Sequence, residues 1–166
     1  MRVQILGAMA LALVASAASA HPHLRKTVEA SLAGDTKATI SYVTVPANMD
    51  LAKAVEVGAF ASPGGTKFTL SADVTAGETT IAAGDYTLGV VRKGEAEWVV
   101  ALSPGAPARG VTPDPSKLIE LTSEFTSSAG SSDHMLVDVT PGSGSLEGRV
   151  GLTIHYGPLF VAGLLQ

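Results

Sequence analysis

The sequence predicts an all-β chain folded as a single antiparallel β-sandwich of immunoglobulin-like type. Three observations carry that expectation. Apolar and polar residues alternate with period two along most of the chain, the alternating runs are short, and Gly- or Pro-bearing turn signals separate them. Strands of this length, punctuated in this way, bury one face each and satisfy it by packing two sheets together.

The elements follow in order. Lys37 to Val45 (K-A-T-I-S-Y-V-T-V) sets Ile40 and Tyr42 on one face and Thr39 and Ser41 on the other. Asn48 to Val57 is the one stretch with helical spacing, with Asn48 as cap and Leu51, Ala54 and Val55 on one side. Pro63-Gly64-Gly65 then turns the chain into a strand over Lys67 to Val74, and Ala83-Gly84-Asp85 into another over Tyr86 to Arg92. Lys93-Gly94 leads to Glu97 to Leu102, and Pro104-Gly105 ends that run. Gly105 to Pro115 holds three prolines and no periodicity, and reads as a loop. Lys117 to Phe125, Met135 to Thr140 and Arg149 to Tyr156 complete the alternating runs, the last two parted by Pro141-Gly142-Ser143-Gly144. Pro158 to Leu165 is apolar but only eight residues long, a last strand and not an anchor. No internal repeat or second domain is visible.

The first twenty residues read as a cleavable export signal. Arg2 supplies the positive charge, Ile5 to Val14 an apolar run interrupted only by Gly7, and Ala18-Ser19-Ala20 the small-x-small cleavage pattern. That apolar run of ten residues is well short of the ~20 a spanning helix needs. Cleavage after Ala20 leaves a domain of residues 21–166 in the periplasm or outside the cell, without a membrane span, beginning His21-Pro22-His23. The absence of Cys near the cut excludes lipoprotein anchoring. Removing Arg2 with the signal leaves ten Lys and Arg against fifteen Asp and Glu, a net charge of −5. Mild acidity without a basic run argues against nucleic acid and anionic membrane surfaces as partners. With no Cys at all, there are no disulfide staples, no thiolate metal site and no thiol nucleophile. Stability rests on burial, which 146 residues can supply. Nothing in the sequence names a protein partner.

Several segments carry a family resemblance. They are Ile40-Ser41-Tyr42 followed by Pro46, Asp73-Val74-Thr75 with Gly77, and Ile81-Ala82-Ala83-Gly84-Asp85-Tyr86-Thr87-Leu88. Glu97-Trp98-Val99-Val100 and the closing Leu152-Thr153-Ile154-His155-Tyr156 complete the set. Together they resemble an exported bacterial family, the domain of unknown function numbered 2911, over about half the mature chain. The resemblance implies a compact exported β-sandwich and brings no established activity. Val57-Gly58-Ala59-Phe60 stands where that family carries a Gly-Arg pair and a Trp-Arg-Thr-Gly segment. In the shared A-G-x-Y-x-L piece, Gly84 allows the tight entry to a strand, and Tyr86 and Leu88 then face the core.

The chain has four histidines, His21, His23, His134 and His155, and two of them fall at positions one and three after the expected cut. A free amine followed by the imidazole of His21 is a bidentate chelate, and a further imidazole completes a T-shaped set of three nitrogens. Such tetragonal nitrogen ligation suits Cu(II). Pro22 has no N–H, which closes the alternative square-planar mode built on deprotonated backbone amides. His23 can still contribute its ring. His-Pro-His-Leu is also similar to the start of CopC-type periplasmic copper carriers, and Asp133-His134 resembles that family's late Asp-x-His pair with one residue less spacing. His134 falls in a Ser/Gly-rich stretch that reads as a loop. His155 competes as third donor from a strand, sharing a face with Thr153 and opposing Ile154. Each has an ordinary alternative: a disordered tail for His21, a solvated loop for His134, a half-buried packing residue for His155.

Other chemistry has less support. No G-x-S-x-G elbow accompanies the turn serines Ser127-Ser128 and Ser131-Ser132, and Asp-x-Asx-x-Asx calcium loops and phosphate loops are absent. The acidic pairs Glu95/Glu97 and Asp133/Asp138 read as solvated faces, and Trp98 as a core anchor and not a sugar platform. The sequence therefore predicts an exported, non-enzymatic β-sandwich that binds copper through His21, with His23 nearby and His134 or His155 as third donor. The alternatives are a metal-free structural or interaction module of the cell envelope and, with less support, a copper-dependent oxidative enzyme.

Overall fold

The computed structural model describes residues 23–95, 97–126 and 130–166. Among the described residues, thirteen strands and one short α-helix are arranged as two antiparallel sheets and a small hairpin, so the all-β sandwich expectation holds. In chain order they are β1 (Arg25–Ser31), β2 (Lys37–Val43), α1 (Met49–Ala54), β3 (Phe60–Ala61), β4 (Lys67–Leu70), β5 (Val74–Ala76) and β6 (Thr79–Ile81). Then follow β7 (Gly84–Gly94), β8 (Glu97–Pro104), β9 (Ile119–Glu120), β10 (Ser123–Thr126), β11 (Ser132–Pro141), β12 (Val150–Gly157) and β13 (Leu159–Leu165). The first sheet runs β1-β2-β4-β7-β8-β9, with β3 also on β7, and the second runs β10-β13-β12-β11.

The period-two pattern places the core where the sequence implied. From the first sheet Ile40, Tyr42, Phe68, Leu70, Leu88, Val100 and Leu102 turn inward, and Met135, Val137, Leu152, Ile154, Val161 and Leu165 meet them from the second. Trp98 is buried among them. Tyr86 is buried too, and its phenol donates to Ala82 O at 2.7 Å. Burial, with a smaller contribution from the charge of Asp73, raises the Tyr86 pKa above its ordinary 10.0.

Both flanks of the sandwich are stitched by strands that change sheets. On one flank β9 ends in the first sheet and β10 begins in the second. The buried Leu121 between them donates its N–H to Val100 O at 2.9 Å, and Leu164 N donates to Thr122 O at 3.0 Å. The single strand expected over Lys117 to Phe125 is thus two strands in different sheets. On the other flank, Thr44 to Ala47 leaves β2 and pairs with the start of β11. One end of the sandwich is closed by the β5–β6 hairpin, which buries Val74 and Ile81 and exchanges two 2.7 Å hydrogen bonds between Thr75 and Gln166. At the opposite end lies α1, none of whose residues is buried.

Three further details depart from the sequence reading. β1, which pairs all along β2, was not expected, because an edge strand half-buries only Val28 and Ala30 and leaves charged residues between them. The run from Lys67 breaks after Leu70, where Ser71 N turns to Lys37 O at 3.0 Å, and resumes at Val74 as a separate hairpin. The helix is shorter than Asn48 to Val57, but Asn48 caps it as anticipated, its Oδ1 accepting from Asp50 N at 3.0 Å and Leu51 N at 3.2 Å. At the expected Pro63-Gly64-Gly65 turn, Gly64 has φ +67°. A Cβ there would collide with Val43 O, so only glycine fits.

Candidate metal centre

The crossing segment Thr44 to Ala47 is the element that positions two of the four histidines. On its outer side the β1–β2 ladder continues past its end: Thr44 N donates to Leu24 O at 2.8 Å, and Leu24 N donates to Thr44 Oγ1 at 3.0 Å. This fixes the backbone next to His23, whose Nδ1 lies 3.2 Å from Thr44 O. A carbonyl only accepts, so Nδ1 carries the proton in that contact, and in the neutral ring the lone pair then lies on Nε2. An imidazole anchored through one nitrogen to a backbone carbonyl, with the other directed elsewhere, is the arrangement that orients metal-binding histidines. His23 is exposed, so the ring is open to an incoming ion.

On its inner side the segment meets β11. Ala47 N donates to Asp133 O at 2.9 Å, Met135 N donates to Val45 O at 2.8 Å, and Pro46 stands opposite His134. Pro46 has no N–H, so its neighbours carry the pairing. An irregularity in the β11–β12 register between Ser132 and Leu136 frees Asp133 to Met135 from β12 and lets them turn to this new partner. His134 is therefore half-buried at the start of a ten-residue strand, not in a solvated loop. The Ser/Gly-rich flank concealed the strand, because the pairing is made with a segment some ninety residues earlier in the chain. Ser132 Oγ donates to His134 O at 2.5 Å and steadies the turn into it.

His155 lies one strand further away. In β12 it faces Leu136 of β11 and Phe160 of β13, on the outer face of the second sheet, sharing that face with Thr153 and opposing the buried Ile154. Its ring packs edge-on to Phe160, with centroids 5.7 Å apart and planes at 84°. Nε2 is buried and has no hydrogen-bond partner among the described residues. Covered in this way, that nitrogen does not face a passing ion. An unmet polar atom of this kind costs about 1–3 kcal/mol.

His21 and the expected signal, residues 1–20, lie outside the described residues. Among the described residues no group of three or more His, Cys, Asp and Glu is gathered for a metal ion. The structure brings His23 and His134 to the two sides of Thr44-Val45-Pro46, with His155 opposite Leu136 on β12, the strand paired with β11.

Met49 is a neighbour that sequence reasoning passed over. Its Sδ lies 2.8 Å from where a Cβ on Gly157 would be, and Gly157 pairs with Ser132 at the edge of the irregular stretch. Nothing in the sequence links Met49 to Gly157, since only folding brings them together. Among the described residues no helix is long and apolar enough to cross a membrane. No family model, curated protein or solved structure matches this chain.

Proposed function

We propose that the protein is an exported, non-enzymatic β-sandwich that binds Cu(II) at its mature amino terminus. Cleavage after Ala20 creates the site: the amine and ring of His21 form the chelate, His134 supplies the third nitrogen, and His23 lies beside them. The observation that carries this reading is the shared crossing segment. His23, two residues from the expected terminus, is tied to Thr44 O, and His134 stands against Pro46 on the opposite side. Its Nδ1–H contact leaves the His23 Nε2 lone pair available. The covered Nε2 of His155 favours His134 as the third donor. The similarity of His-Pro-His-Leu to CopC-type carriers points the same way, and the resemblance to the family numbered 2911 is compatible with an exported carrier.

The test compares mature protein beginning at His21 with the same chain carrying one additional Ala in front. Isothermal titration against a competing chelator should show Cu(II) affinity falling at least about hundredfold, or ~2.7 kcal/mol, when the terminal chelate is blocked. His134→Ala should weaken binding and His155→Ala should not. Equal, weak binding by both amino termini would overturn the reading and leave a metal-free envelope module.

A further inference from the structure

At the α1 end the two sheets do not close on each other. They leave an inter-sheet cavity of about 310 Å³, floored by Val90, Trp98, Ile154 and Val161 and walled by Tyr156 and Leu159. Its remaining lining comes from Leu51, Ala52 and Val55 around the helix and from Ala61-Ser62-Pro63, so no charged side chain contributes. The polar atoms are few and mostly engaged. Ser62 Oγ already donates to Leu88 O at 2.6 Å. The Tyr156 hydroxyl accepts from Asn48 N at 2.9 Å, which leaves its own proton available at the cavity wall.

We infer that this cavity is a binding site for an uncharged lipophilic molecule. The pocket is partly open to solvent, and its lining is almost entirely aliphatic and aromatic, so a ligand that fills it removes apolar surface from water. Apolar cavities of about 150 Å³ stay dry and admit benzene, so this one has room for a molecule of about two rings or the equivalent length of acyl chain. The absence of a charged side chain from the lining selects against ions, and the Tyr156 proton offers one hydrogen bond to a carbonyl or ether oxygen. That combination of apolar walls with a single oriented polar group is how small-molecule sites are built.

The helix acts as a strap across the mouth. Arg92 Nη1 donates to Lys53 O at 2.9 Å and to Val55 O at 2.7 Å, holding the C-terminal end, and its guanidinium lies 5.8 Å from the Trp98 ring centroid. Asn48 N on the Tyr156 hydroxyl holds the other end. Between these pins α1 buries none of its residues, and Leu51 is 64% exposed. A strap pinned at both ends and slack between them admits a ligand without unfolding a sheet.

Trp98 is the sole tryptophan of the chain and lies in the cavity floor, so it reports occupancy directly. The mature protein, kept in EDTA so that metal plays no part, is titrated with the neutral two-ring ketone 6-propionyl-2-(dimethylamino)naphthalene while Trp98 emission and its transfer to the probe are followed. Saturable one-to-one binding with quenched Trp98 is expected. Ala52→Phe, which fills the cavity from the strap, should weaken it at least tenfold. Ala61→Met, filling it from the opposite wall, should do the same should the first variant prove unfolded by circular dichroism. Leu136→Ala, which removes an exposed apolar side chain from the second sheet's outer face, should leave binding unchanged. Probe binding that is absent, unsaturable, indifferent to both filling variants, or lost in Leu136→Ala would overturn the inference, absence meaning that α1 plugs the cavity itself.

Discussion

Gly163 of β13 packs directly against Val100 of the facing sheet, and adding one methyl group there tests the packing directly. A Cβ at Gly163 would lie 2.7 Å from Val100 Cβ, 3.0 Å from Leu121 Cδ1 and 3.1 Å from Leu121 Cβ. Ordinary carbon contacts begin near 3.5 Å, so the Val100 pair must separate by about 0.8 Å. Val100 Cβ is fixed to its backbone and cannot rotate away, which leaves movement of β13 against β8 as the remedy. Overpacking of this kind costs about 1–3 kcal/mol. The Gly→Ala change returns roughly 0.4–1 kcal/mol by restricting the unfolded chain. With the middle of each range, Gly163→Ala should therefore lose about 1.3 kcal/mol net, or about 3–5 °C in Tm for a domain of this size. Urea unfolding followed by Trp98 fluorescence measures it, with an unchanged m-value as the two-state check. The double variant with Val100→Gly should be more stable than the sum of the two single changes, because the second removes the colliding Cβ. An unchanged or raised midpoint for Gly163→Ala, or strict additivity in the cycle, would refute the claim that this contact sets the sheet spacing.

Other predictions concern acid, alkali and the strap. The Asp85 carboxyl is held below its ordinary 3.8 by the hydrogen bond from Lys67, at 2.9 Å, and a second from Thr69, at 2.8 Å. A depressed carboxylate stabilises the fold above its unfolded pKa and loses that contribution as pH falls through the folded one. Asp85→Asn should thus flatten the acid limb of stability below about pH 4 in denaturation curves. Tyr86, with its pKa raised, contributes below pH 10.0 and loses that contribution as pH climbs through the higher folded value. Tyr86→Phe should remove this alkaline dependence and, with the bond to Ala82 O, about 0.5–1.5 kcal/mol. Asn48→Ala should cost α1 about 1 kcal/mol of capping. Because no α1 residue is buried, the loss should appear as faster hydrogen exchange at Ala52, whose N–H donates to Asn48 O, with little change in the global midpoint.

The fold was legible wherever one face of a strand is buried and the other is wet. Ile40 and Tyr42, Tyr86 and Leu88, and Leu152 and Ile154 all lie on the inner faces that their alternation implied. Legibility failed where burial is partial or the partner distant. β1 is an edge strand with two half-buried residues and so carries almost no period. The run over Lys117 to Phe125 read as one strand, although Leu121 marks the passage from one sheet to the other. The candidate metal centre was legible as residue types and not as geometry. His134 read as a loop residue because its strand partner, Pro46, is remote in the chain, while the packing role foreseen as an alternative for His155 matches its contact with Phe160.

The sequence by itself determined the fold class, the inward set of side chains, the capped helix and the list of nitrogen donors, since each depends on local periodicity or on residue chemistry alone. Only the tertiary structure decided which segments the histidines border, how the flanks are stitched, and that a cavity stays open beneath α1. Those outcomes depend on which segments meet. Strand pairing and sheet spacing are set by contacts between residues far apart in the chain, and no local pattern encodes the distance between them.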